Sequence, residues 1–179
     1  RGFSTGFQHG AIEKRLGNIT MFKKILAGLD GGETCDAVFK EALTLAQSVG
    51  GELQLIGVIA PGEHMSPPIL AESGKSYNLP NPAQSVWSVY QDIHQEFAHK
   101  EQMRLREFAK RAKATGVETE FVQRVGSPGR TICEQAQESA ADLIMVGSHG
   151  RTGLSELLIG SVSNYVLHHA PCSVFVLRQ

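Results

Sequence analysis

Val146-Gly147-Ser148-His149-Gly150-Arg151, resumed at Gly160-Ser161-Val162-Ser163, spaces glycine and hydroxyl residues as G-x2-G-x9-G-S. Upstream, Asp142-Leu143-Ile144-Met145-Val146 is a short, nearly unbroken apolar run, the mark of a strand covered on both faces, and Gly147 stops it. Downstream, Val162, Tyr165, Val166 and His169 fall at i, i+3, i+4 and i+7, so they share one side of a helix that begins near Gly160-Ser161. The glycine segment therefore joins the carboxyl end of a strand to the start of a helix. The first turn of a helix carries unpaired N–H groups and a partial positive charge, and glycines let an anion approach the backbone closely. Such a segment reads as a phosphate cradle, with Ser161 and Ser163 as hydroxyl donors and Arg151 as a cationic fork for a terminal phosphate. The spacing alone fits equally a plain glycine-rich connection in which Ser161 is an ordinary helix cap.

Outward from this segment the pattern repeats. Met21 leads into Phe22-Lys23-Lys24-Ile25-Leu26-Ala27-Gly28-Leu29-Asp30, a first strand. Cys35, Phe39, Ala42, Ala46 and Val49 recur at helical spacing, and Gly50-Gly51 supplies a helix stop. Leu53 to Ile59 is a second apolar run, Val117 to Arg124 a more alternating strand, Pro128 to Ala140 a helix and Ser173 to Arg178 a last strand. Between Pro61 and Ser85 lie five prolines with no period, which predicts a loop with polyproline character. Helical spacing resumes from Val86 to Lys113 through Tyr90, Ile93, Phe97, Leu105, Phe108 and Ala112, although Lys100 and Glu101 interrupt the stripe. The basic run Lys110-Arg111-Ala112-Lys113 in its last turn reads as a solvated face that complements the helix dipole.

Strands alternating with helices require crossover connections, so the fold class is α/β: a doubly wound, five-stranded parallel sheet with helices on both faces. Ligands of such sheets bind beyond the carboxyl ends of the strands where the strand order reverses, which sets Asp30 and Gly147 on one crevice. Asp30 there accepts hydrogen bonds from ribose or from an adenine amino group, or else serves as a turn residue before Gly31-Gly32. The backbone of Val58 and Ile59, at the end of the second strand, can read an adenine edge, and as plain core these residues need no ligand. His149 sits within the glycine segment, either near the phosphates or facing solvent.

A chain of 179 residues bounds the reading to one domain. Residues 1–20 show no period and are expected to be a vector-derived or mobile leader to a domain spanning 21–179. Seventeen basic and eighteen acidic side chains leave a formal net charge of −1, which gives no broad basic face for nucleic acid or membrane, so a bound phosphate must be held locally. With no apolar stretch of spanning length and no secretory h-region, the expectation is a soluble, cytoplasmic protein. Cys35, Cys133 and Cys172 are odd in number and widely spaced, which points to neither a disulfide framework nor a zinc site. His94 and His99 are five apart, not the i, i+4 of a helical metal pair. No protein-held metal is expected, and magnesium enters only on a triphosphate.

The chain has no G-x-x-x-x-G-K-[ST], no G-x-S-x-G, and at Gly28-Leu29-Asp30-Gly31-Gly32-Glu33 no G-x-G-x-x-G. No catalytic residue is assigned.

Three segments together resemble the universal stress proteins from Met21 to Gln179: Lys24-Ile25-Leu26-Ala27-Gly28-Leu29-Asp30, Gly126-Ser127-Pro128, and the glycine segment followed by Pro171-Cys172-Ser173-Val174-Phe175-Val176-Leu177. The resemblance implies strand order 3-2-1-4-5 in an adenine nucleotide alpha hydrolase-like fold. It further implies ATP binding, since members that keep the full G-x2-G-x9-G-[ST] pattern bind it. By the same resemblance Gly28, Leu29 and Asp30 line the adenosine side, Val58 or Ile59 meets adenine, and Val146, Gly147, His149, Gly150, Gly160, Ser161, Val162 and Ser163 surround ribose and phosphates. A homodimer through the last strand, Ser173 to Leu177, is implied as well, and an apolar strand edge gives an independent reason for one. The function expected is a nucleotide-dependent regulator in the stress response with a protein partner the sequence does not name. The alternatives are a slow ATPase or phosphotransferase and an AMP or cyclic-nucleotide binder.

Overall fold

The computed structural model describes residues 22–32, 34–60, 82–148 and 160–178, without the side chains of 82–91 and 93. Its order is β1 (Lys24–Gly28), α1 (Cys35–Val49), β2 (Glu52–Ile59), α2 (Pro82–Ala114), β3 (Thr119–Val125), α3 (Pro128–Glu138), β4 (Leu143–Gly147), α4 (Ser161–His169) and β5 (Ser173–Leu177). The five strands form one sheet in the order β3-β2-β1-β4-β5, and every pairing is parallel.

Alternation along the central strands explains their unbroken apolar runs. Ile25, Ala27, Leu53, Leu55, Leu143 and Met145 face a core made with Phe39 and Ala42 of α1 and Leu105, Phe108 and Ala112 of α2. The intervening Leu26, Ile56, Ile144 and Val146 face a second core with Ile132 and Ala136 of α3 and Val166 of α4. Successive right-handed crossovers run outward from β1 to β3 and then, past β1, outward again from β4 to β5, so the two helix pairs fall on opposite faces. The reversal lies between β1 and β4 and opens a crevice at their carboxyl ends.

Local signals end the elements as their chemistry requires. Gly50 takes the left-handed conformation (φ 64°) that stops α1, and the Gly51 N–H donates to the Ala46 carbonyl at 2.9 Å. At the opposite end of the sheet from the crevice, Asp142 accepts from the N–H groups of Lys23 and Lys24, each at 2.9 Å, and so fixes β1 beside β4.

The largest departure from the sequence reading is α2. It starts at Pro82, not Val86, so residues 82–85 leave the expected loop; residues 61–81 lie outside the described residues. Proline is suited to a first helical turn because its missing N–H would have no partner there. With 33 residues α2 is about 50 Å long, whereas the eight residues of β2 span about 26 Å. Its last turns pack at the amino end of the sheet, where the Val117 N–H reaches the Ala112 carbonyl, so the excess length rises past the carboxyl edge. The basic run also does more than meet water: Arg111 lies over the rings of Phe39 and Phe108, 5.0 and 5.4 Å from their centroids, and roofs the first core.

Leu105 is completely buried and joins α2 to the sheet. Leu105→Ala is expected to lower unfolding free energy by about 2–5 kcal/mol, measured by urea titration followed by circular dichroism.

Candidate functional site

The crevice is built from the ends of β1, β2 and β4. Beyond β1 the Leu29 N–H donates to the Ile56 carbonyl at 2.9 Å, which carries Leu29 into the core and leaves Asp30 at the rim. Asp30 then forms a tight turn, in which the Gly32 N–H donates to Oδ1 at 2.9 Å. Gly28 sits deep below this turn, where an added Cβ would come within 3.1 Å of both Ile132 and Val146. At the end of β2, Val58 is half-buried and Ile59 buried, and the Ile59 carbonyl accepts from the Gly126 N–H at 3.0 Å. That bond ties β2 to the turn before α3, so one of the backbone acceptors expected to read adenine already has a protein partner.

The β4 side brings the two ends of the glycine segment together. Val146 is buried, Gly147 pairs with Leu177 of β5, and the Ser148 N–H donates to the Leu177 carbonyl at 2.7 Å. The Ser148 carbonyl accepts from the Gly160 N–H at 2.6 Å and from the Ser163 hydroxyl at 3.3 Å. The same hydroxyl lies 3.0 Å from the Gly160 carbonyl. Ser163 is buried, and its hydroxyl joins the segment's two ends. Gly160 caps α4 in an extended conformation with no side-chain hydrogen bond, and Ser161 is exposed at the first helical position. An uncapped helix start thus stands beside the carboxyl end of β4, the donor set that suits an anion. Val162 packs toward the second core. His149, Gly150 and Arg151 lie outside the described residues.

At the far end of α4, His169 stacks on Tyr165 with ring centroids 4.0 Å apart and shares a 2.8 Å hydrogen bond with the Tyr165 carbonyl. Among the described residues there is no group of three or more His, Cys, Asp or Glu side chains able to hold a metal. The thiols are core groups. Burial pushes Cys35 above its ordinary value of 9.0, opposed by the Arg104 charge, and burial likewise raises Cys133 and Cys172.

A pair the sequence reading passed over stands beside the Asp30 turn. Glu101 of α2, noted only as a break in the apolar stripe, is buried and ion-paired with Arg104, whose guanidinium lies against Gly31. The available signal was a carboxylate at the core position of the run Phe97, Glu101, Leu105, Phe108.

Residues 21–178 match the universal stress protein family. The chain belongs to that family. Among its relatives, universal stress protein Sll1388 of Synechocystis is 30% identical over 165 residues, covering 88% of this chain and 99% of the relative. The fold recurs in a universal stress protein solved in complex with cAMP, with TM-score 0.55, 24% identity and coverage of 88% of this chain and 97% of that one. It recurs in an Arabidopsis thaliana member solved with AMP bound, with TM-score 0.58, 19% identity and coverage of 88% and 92%. Among the described residues, no helix is long and apolar enough to cross a membrane.

The Ser148 and Gly160 carbonyls each keep a backbone N–H donor when the Ser163 hydroxyl is removed. Ser163→Ala should therefore cost about 0.5–1.5 kcal/mol of stability, the worth of one hydrogen bond, read as a lower denaturant midpoint at unchanged slope.

Proposed function

We propose that this member of the universal stress protein family binds ATP in the crevice between β1 and β4. The supporting observation is the juxtaposition of an uncapped α4 start with the Asp30 turn across the point where strand order reverses. In this reading Gly147, His149, Gly150, Gly160, Ser161 and Val162 surround the phosphates through backbone amides, with Arg151 on the terminal one. Ser163 serves by holding the two ends of the segment in place. Gly28, Leu29 and Asp30 form the adenosine wall, Val146 lies beneath the ribose, and the backbone around Val58 and Ile59 borders the adenine. Magnesium, when present, travels on the triphosphate and keeps most of its waters. With a formal net charge of −1 there is no general attraction for anions, so these few donors must supply the phosphate affinity.

The chemistry available is binding. Efficient hydrolysis needs an oriented base or nucleophile, and within the described part of the crevice Asp30 is the carboxylate in position. The output proposed is regulatory: nucleotide occupancy changes contacts with a protein partner in the cytoplasm during stress. AMP is the second reading, because the Arabidopsis relative of the same fold was solved with AMP bound. Denaturing the protein as purified and weighing the released nucleotide separates the two. ATP is expected, and AMP or a cyclic nucleotide alone would displace the first reading. Gly150→Val puts a branched side chain where phosphates approach the backbone, and ATP affinity measured by calorimetry should fall at least tenfold.

We also propose a homodimer through β5. The outer edge of β3 carries exposed Glu120 and Arg124, which discourage strand addition, whereas β5 reads Ser-Val-Phe-Val-Leu with Phe175 44% exposed. Phe175→Lys should convert the dimer to monomer in light scattering while the far-ultraviolet spectrum stays the same.

A further inference from the structure

Glu101 occupies a position that helical spacing reserves for an apolar side chain. Phe97, Glu101, Leu105, Phe108 and Ala112 follow one another at steps of four, four, three and four along α2, and Glu101 is only 8% exposed. Arg104, one turn on, donates to its Oε2 through Nη2. The Arg104 Nε is buried without a hydrogen-bond partner among the described residues. With Glu101 buried and the Arg104 side chain 27% exposed, a half-buried ion pair with a donor left over contributes little to stability, and an apolar side chain at the Glu101 position would serve as well. The reason for the pair lies where the guanidinium ends.

It ends on the turn that carries Asp30. Gly31 has φ +77°, and a Cβ added there would overlap Nη1 and stand 2.9 Å from Nη2 and 3.0 Å from Cζ. The backbone conformation disfavours a side chain at Gly31, and the guanidinium of Arg104 fills the space beside the apex of the turn. Within that turn Oδ1 of Asp30 receives the Gly32 N–H. The cation is also near enough to Cys35, at the start of α1, to oppose the rise of its thiol pKa. Three segments meet at this point: the end of β1, the start of α1 and the middle of α2, level with the carboxyl edge of the sheet.

We propose that Arg104, anchored by Glu101, is a positioning residue that sets the Asp30 turn for the sugar of the bound nucleotide. This rests on the adenine-nucleotide reading of the crevice. Ribose hydroxyls are neutral donors whose recognition depends on an acceptor held at a fixed angle; the Gly32 N–H fixes the Asp30 carboxylate within its turn, and the two-glycine turn itself is steadied by what bears on it. Arg104 supplies that bearing from a helix packed into the core.

The test compares affinities of the full chain for ATP and 2′,3′-dideoxy-ATP by calorimetry, so that each protein serves as its own reference. The unsubstituted chain should prefer ATP by about tenfold, the worth of a charge-assisted hydrogen bond. In Arg104→Met the preference should fall to about twofold or less, while affinity for the dideoxy nucleotide holds. Because Arg104→Met leaves Glu101 buried and unpaired, the double variant Glu101→Leu with Arg104→Met is measured beside it. That protein should unfold at or above the temperature of the unsubstituted chain and still lack the sugar preference, a combination that a merely structural pair does not produce. A tenfold preference surviving in the folded double variant overturns the proposal, as does an unsubstituted chain that binds both nucleotides equally; either result leaves nucleotide binding standing. An unsubstituted chain that binds neither nucleotide overturns the proposal and the reading beneath it.

Discussion

Parallel strands cannot be joined by tight turns, and the rest of the molecule depends on that constraint. Each connection must carry the chain back along the sheet, and a helix does so while satisfying its own backbone. Because the crossovers keep one hand, the chain can cover both faces only by reversing direction once, and the reversal falls between β1 and β4. Two loops that diverge to opposite faces leave a gap at the carboxyl ends of those strands. The crevice is thus a geometric remainder of the fold before any residue is chosen to line it.

What the residues add is polarity of a particular kind. α4 starts on Gly160, which has no side chain to cap it, so among the described residues no side-chain cap takes up its first amides. The segment leading into it is closed by Ser148, whose carbonyl takes hydrogen bonds from Gly160 and Ser163. Across the gap, the Asp30 turn is held from below by the Leu29–Ile56 hydrogen bond and from the side by Arg104. One wall offers amides and the other a carboxylate, an asymmetry that matches a molecule with phosphates at one end and a hydroxyl-bearing sugar further along.

Much of this was legible in the sequence, for physical reasons that differ by element. β1, β2 and β4 announced themselves because strands covered on both faces are apolar along most of their length, and α1 because its stripe ends at a glycine able to adopt positive φ. Of the candidate site, the sequence displayed the parts that sit in consecutive residues, as from Gly147 to Ser148 and from Gly160 to Ser163. The start of α2 was not, since Pro82 breaks helices in their interior and favours their first turn, and sequence alone did not say which position it held. The structural part played by Ser163 was hidden for a related reason: the carbonyl of Ser148, fifteen positions away, is placed beside its hydroxyl only by the fold. Arg104 was invisible because its significance lies in Gly31, more than seventy positions away, and only the packed fold brings the two together.

The claim on which all of this turns is that one molecule of nucleotide bridges the ends of β1 and β4. Hydrogen–deuterium exchange with and without ATP reads that directly in the backbone. Exchange is predicted to slow together in two separate stretches, residues 29–32 after β1 and residues 147–163 after β4, with β3 and its edge unaffected. Slowing in only one of the two stretches, or in neither while ATP slows exchange elsewhere, would contradict the account.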